Sequence, residues 1–148
     1  MLVWLTDWQL AEDRLLISVG DSVDWTVFPS DREWIARLFE DRLMIEWQYD
    51  TYGDAAPGPS RNVVGTVTGL QSVRCRQQRS AAGFEPVRGA ARLRSVTDTS
   101  GSWRRTAPLA SGLPATVSRQ KMYTFSYGSS EPEEDALYGY AATVTPRE

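Results

Sequence analysis

A chain of 148 residues with 41% hydrophobic and 11% aromatic content is long and apolar enough to bury a core, which excludes a disordered chain and matches one domain over residues 1–148. No run approaches the ~18 apolar residues of a membrane-spanning helix, and a net charge of -3 argues against a general nucleic-acid coat. That small net value hides three blocks: twelve acids against four arginines in residues 1–60, ten arginines and Lys121 against Glu85 and Asp98 in residues 61–130, and five acids against Arg147 thereafter. The basic middle block either meets acidic neighbours across a sheet or presents an exposed face to an anionic partner.

In chain order, the opening "MLVWLTDWQL" is apolar but has no basic leader and soon reaches Asp7. It reads as a poor secretory signal, and the expected location is the cytoplasm. Leu2 to Leu5 reads as a first strand. In "SVGDSVDWTV" the Gly20-Asp21 pair reverses the chain, after which Val23, Trp25 and Val27 alternate with Asp24 and Thr26 as a half-buried strand does. "SDREWIARLFE" changes to helical period: Ser30 and Glu33 have capping-box spacing, and Trp34, Ile35, Leu38 and Phe39 form a stripe that covers the sheet. Alternation then returns from Leu43 to Asp50, with Leu43, Ile45, Trp47 and Tyr49 on the core side.

The run "NVVGTVTGLQSVRCRQQ" places Val63, Val67, Val73 and Cys75 in one phase with Leu70 out of phase, which predicts a bend or bulge near Gly69. Ala90 to Val96, Val117 to Tyr127 and Tyr138 to Thr145 complete the strands. Between the first two lies "DTSGSWRRTAPLASGLPA", eighteen residues with little periodicity, long enough for a functional loop. The chain is therefore expected to be mainly β: a small barrel of about six or seven strands with one short helix.

The absence of histidine excludes imidazole-based triads and the common His-based zinc sites, and no Gly-rich phosphate cradle occurs. Cys75 is the sole cysteine, so there is no internal disulfide framework. On its strand it faces away from Arg74 and Arg76 and reads as a buried thiol. Asp24, Glu46 and Asp50 lie in the polar phases of their strands, which accounts for them as solvated faces. Neither a cofactor nor a metal is expected, and a carboxylate-dependent enzyme, in which two of Asp7, Asp21, Asp24, Glu46 and Asp50 would have to converge in one pocket, is kept as a third reading behind two non-catalytic ones.

Two groups of residues remain as binding candidates. Trp103, Arg104 and Arg105 combine two hot-spot residue types in an unpatterned loop. Arg74, Arg76, Arg92 and Arg94 lie on the strands of the basic block and suit phosphate contacts, while Tyr123, Phe125 and Tyr127 alternate along one strand face as a base-stacking ladder would. The leading expectation is a non-catalytic interaction module that meets a protein partner or a second copy of itself through Trp103, Arg104, Arg105 and the arginines of the basic block; the alternative is a nucleic-acid binder with the four strand arginines on phosphates and the three aromatics stacking bases, and neither involves a membrane.

"DWQ" at Asp7 to Gln9, "VGDSVDW" at Val19 to Trp25, "GTV" at Gly65 to Val67 and "VRCR" at Val73 to Arg76 resemble a family of small uncharacterised bacterial proteins of unknown function. In that family a cysteine pair often follows "DWQ". Leu10 to Arg14 contain none, so no metal or redox role for such a pair carries over. At the level of fold, "VGDSVDW" followed by "GTVTGLQSV" is similar to the opening strands of SH3-like barrels, and an OB-like barrel is the alternative. That likeness implies binding through loops and one exposed face, and no particular ligand.

Overall fold

The alternating runs form strands and the amphipathic run a helix, in a computed structural model that describes residues 1–49, 58–102 and 131–147. The elements are β1 (Leu2–Thr6), α1 (Asp7–Glu12), β2 (Ser22–Pro29), α2 (Arg32–Phe39), β3 (Trp47–Gln48), β4 (Arg61–Cys75), β5 (Gln77–Ser80), β6 (Gly83–Pro86), β7 (Arg92–Ser95) and β8 (Ala136–Pro146). The fold is mainly β. One sheet runs in the order β2-β3-β1-β8-β4-β7 and β2 pairs with β4 as well, so the pairings of β2, β3, β1, β8 and β4 close into a ring. A separate hairpin, β5-β6, stands beside it.

β4 governs the arrangement. Its first half pairs with β2, from Arg61↔Val27 to Thr66↔Ser22, its second half pairs with β7, from Gln71↔Ser95 to Arg74↔Arg92, and β8 pairs along the other edge from Gly65 to Cys75. The exchange of partners occurs at Val67–Leu70. The Gly20-Asp21 turn reverses the chain there: the Gly20 amide donates to the Val67 carbonyl at 2.7 Å and the Val67 amide to the Asp21 carbonyl at 2.9 Å. Gly20 has φ +100°, a left-handed conformation that favours glycine. Asp21 closes the turn by accepting the Ser18 amide at 2.9 Å. From the far side, the Val96 amide donates to the Leu70 carbonyl at 3.0 Å. The β4–β8 register shifts between Val67 and Gly69, which is the bulge predicted from the phase slip.

That bulge, with a second between Val73 and Arg74, lets β4 feed two cores. One cluster gathers Val3, Leu5, Trp25, Val27, Val63, Val67, Leu70, Tyr140, Ala142 and Val144 from the facing sides of the ring. The other joins Trp4, Val73, Cys75 and Ala141 to Ile35, Leu38 and Phe39 of α2, so the helix covers the opposite face of the sheet as its stripe implied. The helix begins one residue later than the capping box suggested. Asp31 is the N-cap and accepts the Trp34 amide at 3.1 Å, because the Ser30 hydroxyl is committed to the Ile45 carbonyl at 2.6 Å.

Three features depart from the sequence reading. A second helix, α1, was not expected. Its six residues are too few to display a period, and its N-cap side chain makes no capping bond. The strand expected over Leu43 to Asp50 contracts to Trp47–Gln48. Ile45 is buried as expected, but so is Gln48, whose Oε1 accepts the Asp31 amide at 2.9 Å. The long unpatterned loop starts inside the protein: Thr99 and Ser102 are fully buried, and the Thr99 hydroxyl accepts the Ile17 amide at 3.0 Å. Ser102 Oγ donates to Asp7 Oδ1 at 2.5 Å and lies 3.4 Å from the Tyr140 hydroxyl. The strand expected over Val117 to Tyr127 lies outside the described residues.

Gly139 is where β8 passes closest to β1. A Cβ there would overlap the Leu5 carbonyl and come within 2.6 Å of the Trp4 indole. Gly139→Ala is therefore expected to cost about 2–3 kcal/mol, as overpacking does. Gly69→Ala, whose Cβ would meet Thr143 Oγ1 at 3.4 Å, is expected to cost under about 1 kcal/mol. Urea unfolding of both variants checks the contrast.

Tyr140 gives a pH prediction. Burial pushes its phenol above the ordinary 10.0, the Ser102 hydrogen bond opposes the rise and the Asp7 charge adds to it. A raised folded pKa means the neutral phenol's contribution is fully present below the ordinary value and lost as pH climbs through the folded one. Stability should fall as pH rises past 10.0, and Tyr140→Phe should flatten that fall. Urea midpoints measured across the alkaline range check it.

Candidate functional site

Two surfaces and one thiol carry the chemistry of the described residues. The first surface is the basic face of β4 and β7. Antiparallel register sets Arg74 directly opposite Arg92 and Ser72 opposite Arg94, so alternation puts Arg74, Arg92 and Arg94 on one face. Like charges in directly opposed positions repel. Among the described residues one carboxylate answers them: Asp135 Oδ1 is 2.5 Å from Arg92 Nη2 and its Oδ2 is 4.0 Å from Arg74 Nη1.

The backbone of the same segment joins in. Arg74 Nη1 donates to the Asp135 carbonyl at 3.1 Å and Arg92 Nη2 to the Glu134 carbonyl at 3.5 Å. Further along, the Gln77 amide donates to the Glu133 carbonyl at 2.8 Å, while Gln77 Oε1 accepts the Glu133 amide at 3.1 Å. The basic middle block thus meets the acidic residues just ahead of β8. The Arg92 and Asp135 side chains are 65% and 54% exposed, and pairs so open to solvent contribute little.

Arg76 and Arg94 are exposed. At Arg94 the contact with the facing strand is through the backbone, its carbonyl accepting the Ser72 hydroxyl at 3.4 Å. The Arg76 carbonyl accepts the Val87 amide at 2.9 Å. Neither side chain makes an ion pair with another described residue.

The second surface was not anticipated. β3 pairs with β1 and with β2 through only two residue pairs each, so the ring is thin at this seam. An open depression of about 340 Å³ lies there, lined by Met1, Leu2, Met44, Glu46, Trp47 and Arg61. The Arg61 guanidinium lies 5.9 Å from the centroid of the Trp47 ring, a cation–π distance. Met44 is 66% exposed, unusual for so apolar a residue, and its flexible thioether adapts to varied partners. The sequence did hold a signal: Met44 occupies the solvent phase of the Leu43 to Asp50 alternation, where a polar residue is expected.

Cys75 is fully buried and its thiol donates to the Val87 carbonyl at 3.4 Å. Burial pushes its pKa up, against the pull of that hydrogen bond and of Arg76, Arg92 and Arg37. A raised thiol pKa suppresses the reactive thiolate. Among the described residues no three His, Cys, Asp or Glu side chains are grouped to hold a metal ion.

The structure therefore brings Arg74 and Arg92 together, sets Arg94 beside them and leaves Arg76 exposed at the β4–β5 junction. Trp103, Arg104, Arg105, Tyr123, Phe125 and Tyr127 lie outside the described residues.

No curated protein and no solved structure matches the chain. A family model does match, over residues 1–113, a span that contains "DWQ", "VGDSVDW", "GTV" and "VRCR" and ends before β8. The resemblance read from those motifs points the same way, and with most of its length matched the chain belongs to the family of unknown function DUF6578.

Proposed function

We propose that this protein is a non-catalytic binding module whose partner is another protein or a second copy of itself, working in a bacterial cytoplasm. The observation that carries this reading is the depression at the thin seam of the ring, where Met44, Leu2 and Trp47 supply an apolar surface and Arg61 and Glu46 a charged rim. Aromatic, Met and Arg residues around an apolar centre are the composition of protein-binding surfaces. The closed ring of strands fits the SH3-like or OB-like reading, in which a rigid barrel holds such a surface on its outside. No described helix is long and apolar enough to cross a membrane.

The nucleic-acid alternative draws on Arg74, Arg76, Arg92 and Arg94. One observation weighs against it: the whole chain is acidic.

Native mass spectrometry of protein purified gently from its source, with absorbance recorded at two ultraviolet wavelengths, tests the choice. A stoichiometric protein partner or a homodimer is expected, and Met44→Asp, a change at an exposed position, should abolish it without moving the melting temperature. Bound nucleic acid released at high salt, or a complex indifferent to Met44→Asp, would overturn the reading.

A further inference from the structure

We infer that the basic face of β4 and β7 is a docking surface for acidic peptide segments, and that Glu133, Glu134 and Asp135 of the chain itself occupy it as a displaceable internal ligand. The inference goes beyond the Met44 surface: it concerns a second face and names the chemistry of a partner segment there.

The contacts made by Glu133, Glu134 and Asp135 are those a peptide ligand would make. Gln77 exchanges two hydrogen bonds with Glu133, one through its backbone amide and one through its side-chain carbonyl. Arg74 and Arg92 then take the Asp135 carboxylate and the carbonyls of Asp135 and Glu134. Recognition of an amide N–H by Gln77 Oε1 selects a polypeptide, because a phosphodiester backbone offers no such donor. Recognition of the carboxylate by two arginines selects an acidic one.

The internal ligand leaves this face short of negative charge. Among the described residues, the Asp135 carboxylate is shared by Arg74 and Arg92, while Arg94 on the same face and Arg76 at the same end of β4 stand exposed. Opposed arginines repel each other across a strand pair, so a ligand bringing more than one acid relieves a repulsion that Asp135 relieves only in part. The clamp is also weak, since both its ion pairs are open to solvent. A competing segment therefore faces a small barrier to displacement rather than a buried core.

Fluorescence anisotropy with a fluorescein-labelled Glu-Pro-Glu-Glu-Asp peptide tests this on three purified proteins: the natural chain, Asp135→Asn, and Asp135→Asn combined with Arg92→Gln. Asp135→Asn should bind the peptide at least about threefold more tightly than the natural chain, a difference the strength of an exposed ion pair allows. Adding Arg92→Gln should reverse the gain. The Gln77 amide should shift in the nitrogen–proton spectrum of Asp135→Asn on titration, a readout that also reports whether the variant is folded. Equal affinity of the natural chain and Asp135→Asn, absence of binding, or equal binding of a Gln-Pro-Gln-Gln-Asn peptide would overturn the inference. So would tighter binding of a single-stranded oligonucleotide than of the peptide by Asp135→Asn. Failure here leaves the Met44 surface standing, because that surface is tested by its own variant and by an intact complex.

Discussion

The structure turns on the exchange of partners along β4 between Val67 and Leu70. β4 is fifteen residues long and exchanges β2 for β7 on one edge while β8 stays on the other from Gly65 to Cys75. Two contacts meet β4 at the same point: the Gly20-Asp21 turn, from which β2 starts, and the Val96 amide at the end of β7, which donates to the Leu70 carbonyl. The bulge at Gly69 accommodates both, since a bulge bends its strand and strengthens the local twist. Past it, inward-facing positions become outward-facing ones, and β4 contributes Val67 and Leu70 to one core and Val73 and Cys75 to the other.

Both candidate surfaces follow from that geometry. Because β7 joins only the second half of β4, four residue pairs long, Arg74 and Arg92 face each other at an edge of the sheet rather than in its centre. The acidic residues ahead of β8 pass close enough to answer them. Because β2 joins only the first half, ring closure on the other side falls to the two-residue β3, and the shortness of β3 leaves Met44, Trp47 and Arg61 around a depression. The buried polar group of Asp7, Ser102 and Tyr140 ties α1, β8 and the start of the long loop together.

Much of this was legible in the sequence wherever a residue's environment is set by its own neighbours. The alternation of Val23, Trp25 and Val27, the helical stripe of Ile35, Leu38 and Phe39, and the burial of Cys75 all follow from local period. The slip at Leu70 revealed the bulge because a two-residue period cannot hide an inserted residue. What was not legible depends on partners distant in the chain. Ser30 looked like a cap until Ile45 claimed its hydroxyl, Gln48 looked solvated until the Asp31 amide needed an acceptor, and Thr99 looked like loop until Ile17 lay beside it. The basic block was visible as composition, but not that Asp135 would sit between two of its arginines.

The central claim is that β2 and β7 are held to one strand at a common point, so that the ring opens only when the whole sheet does. Amide hydrogen exchange of the natural chain tests it most directly. The Gly20, Val67 and Val96 amides should exchange as slowly as the central amides of β8, with one shared dependence on denaturant that marks global unfolding. Fast, denaturant-independent exchange at Val67 and Val96 while β8 stays protected would mean that β2 and β7 open independently, and would contradict the account.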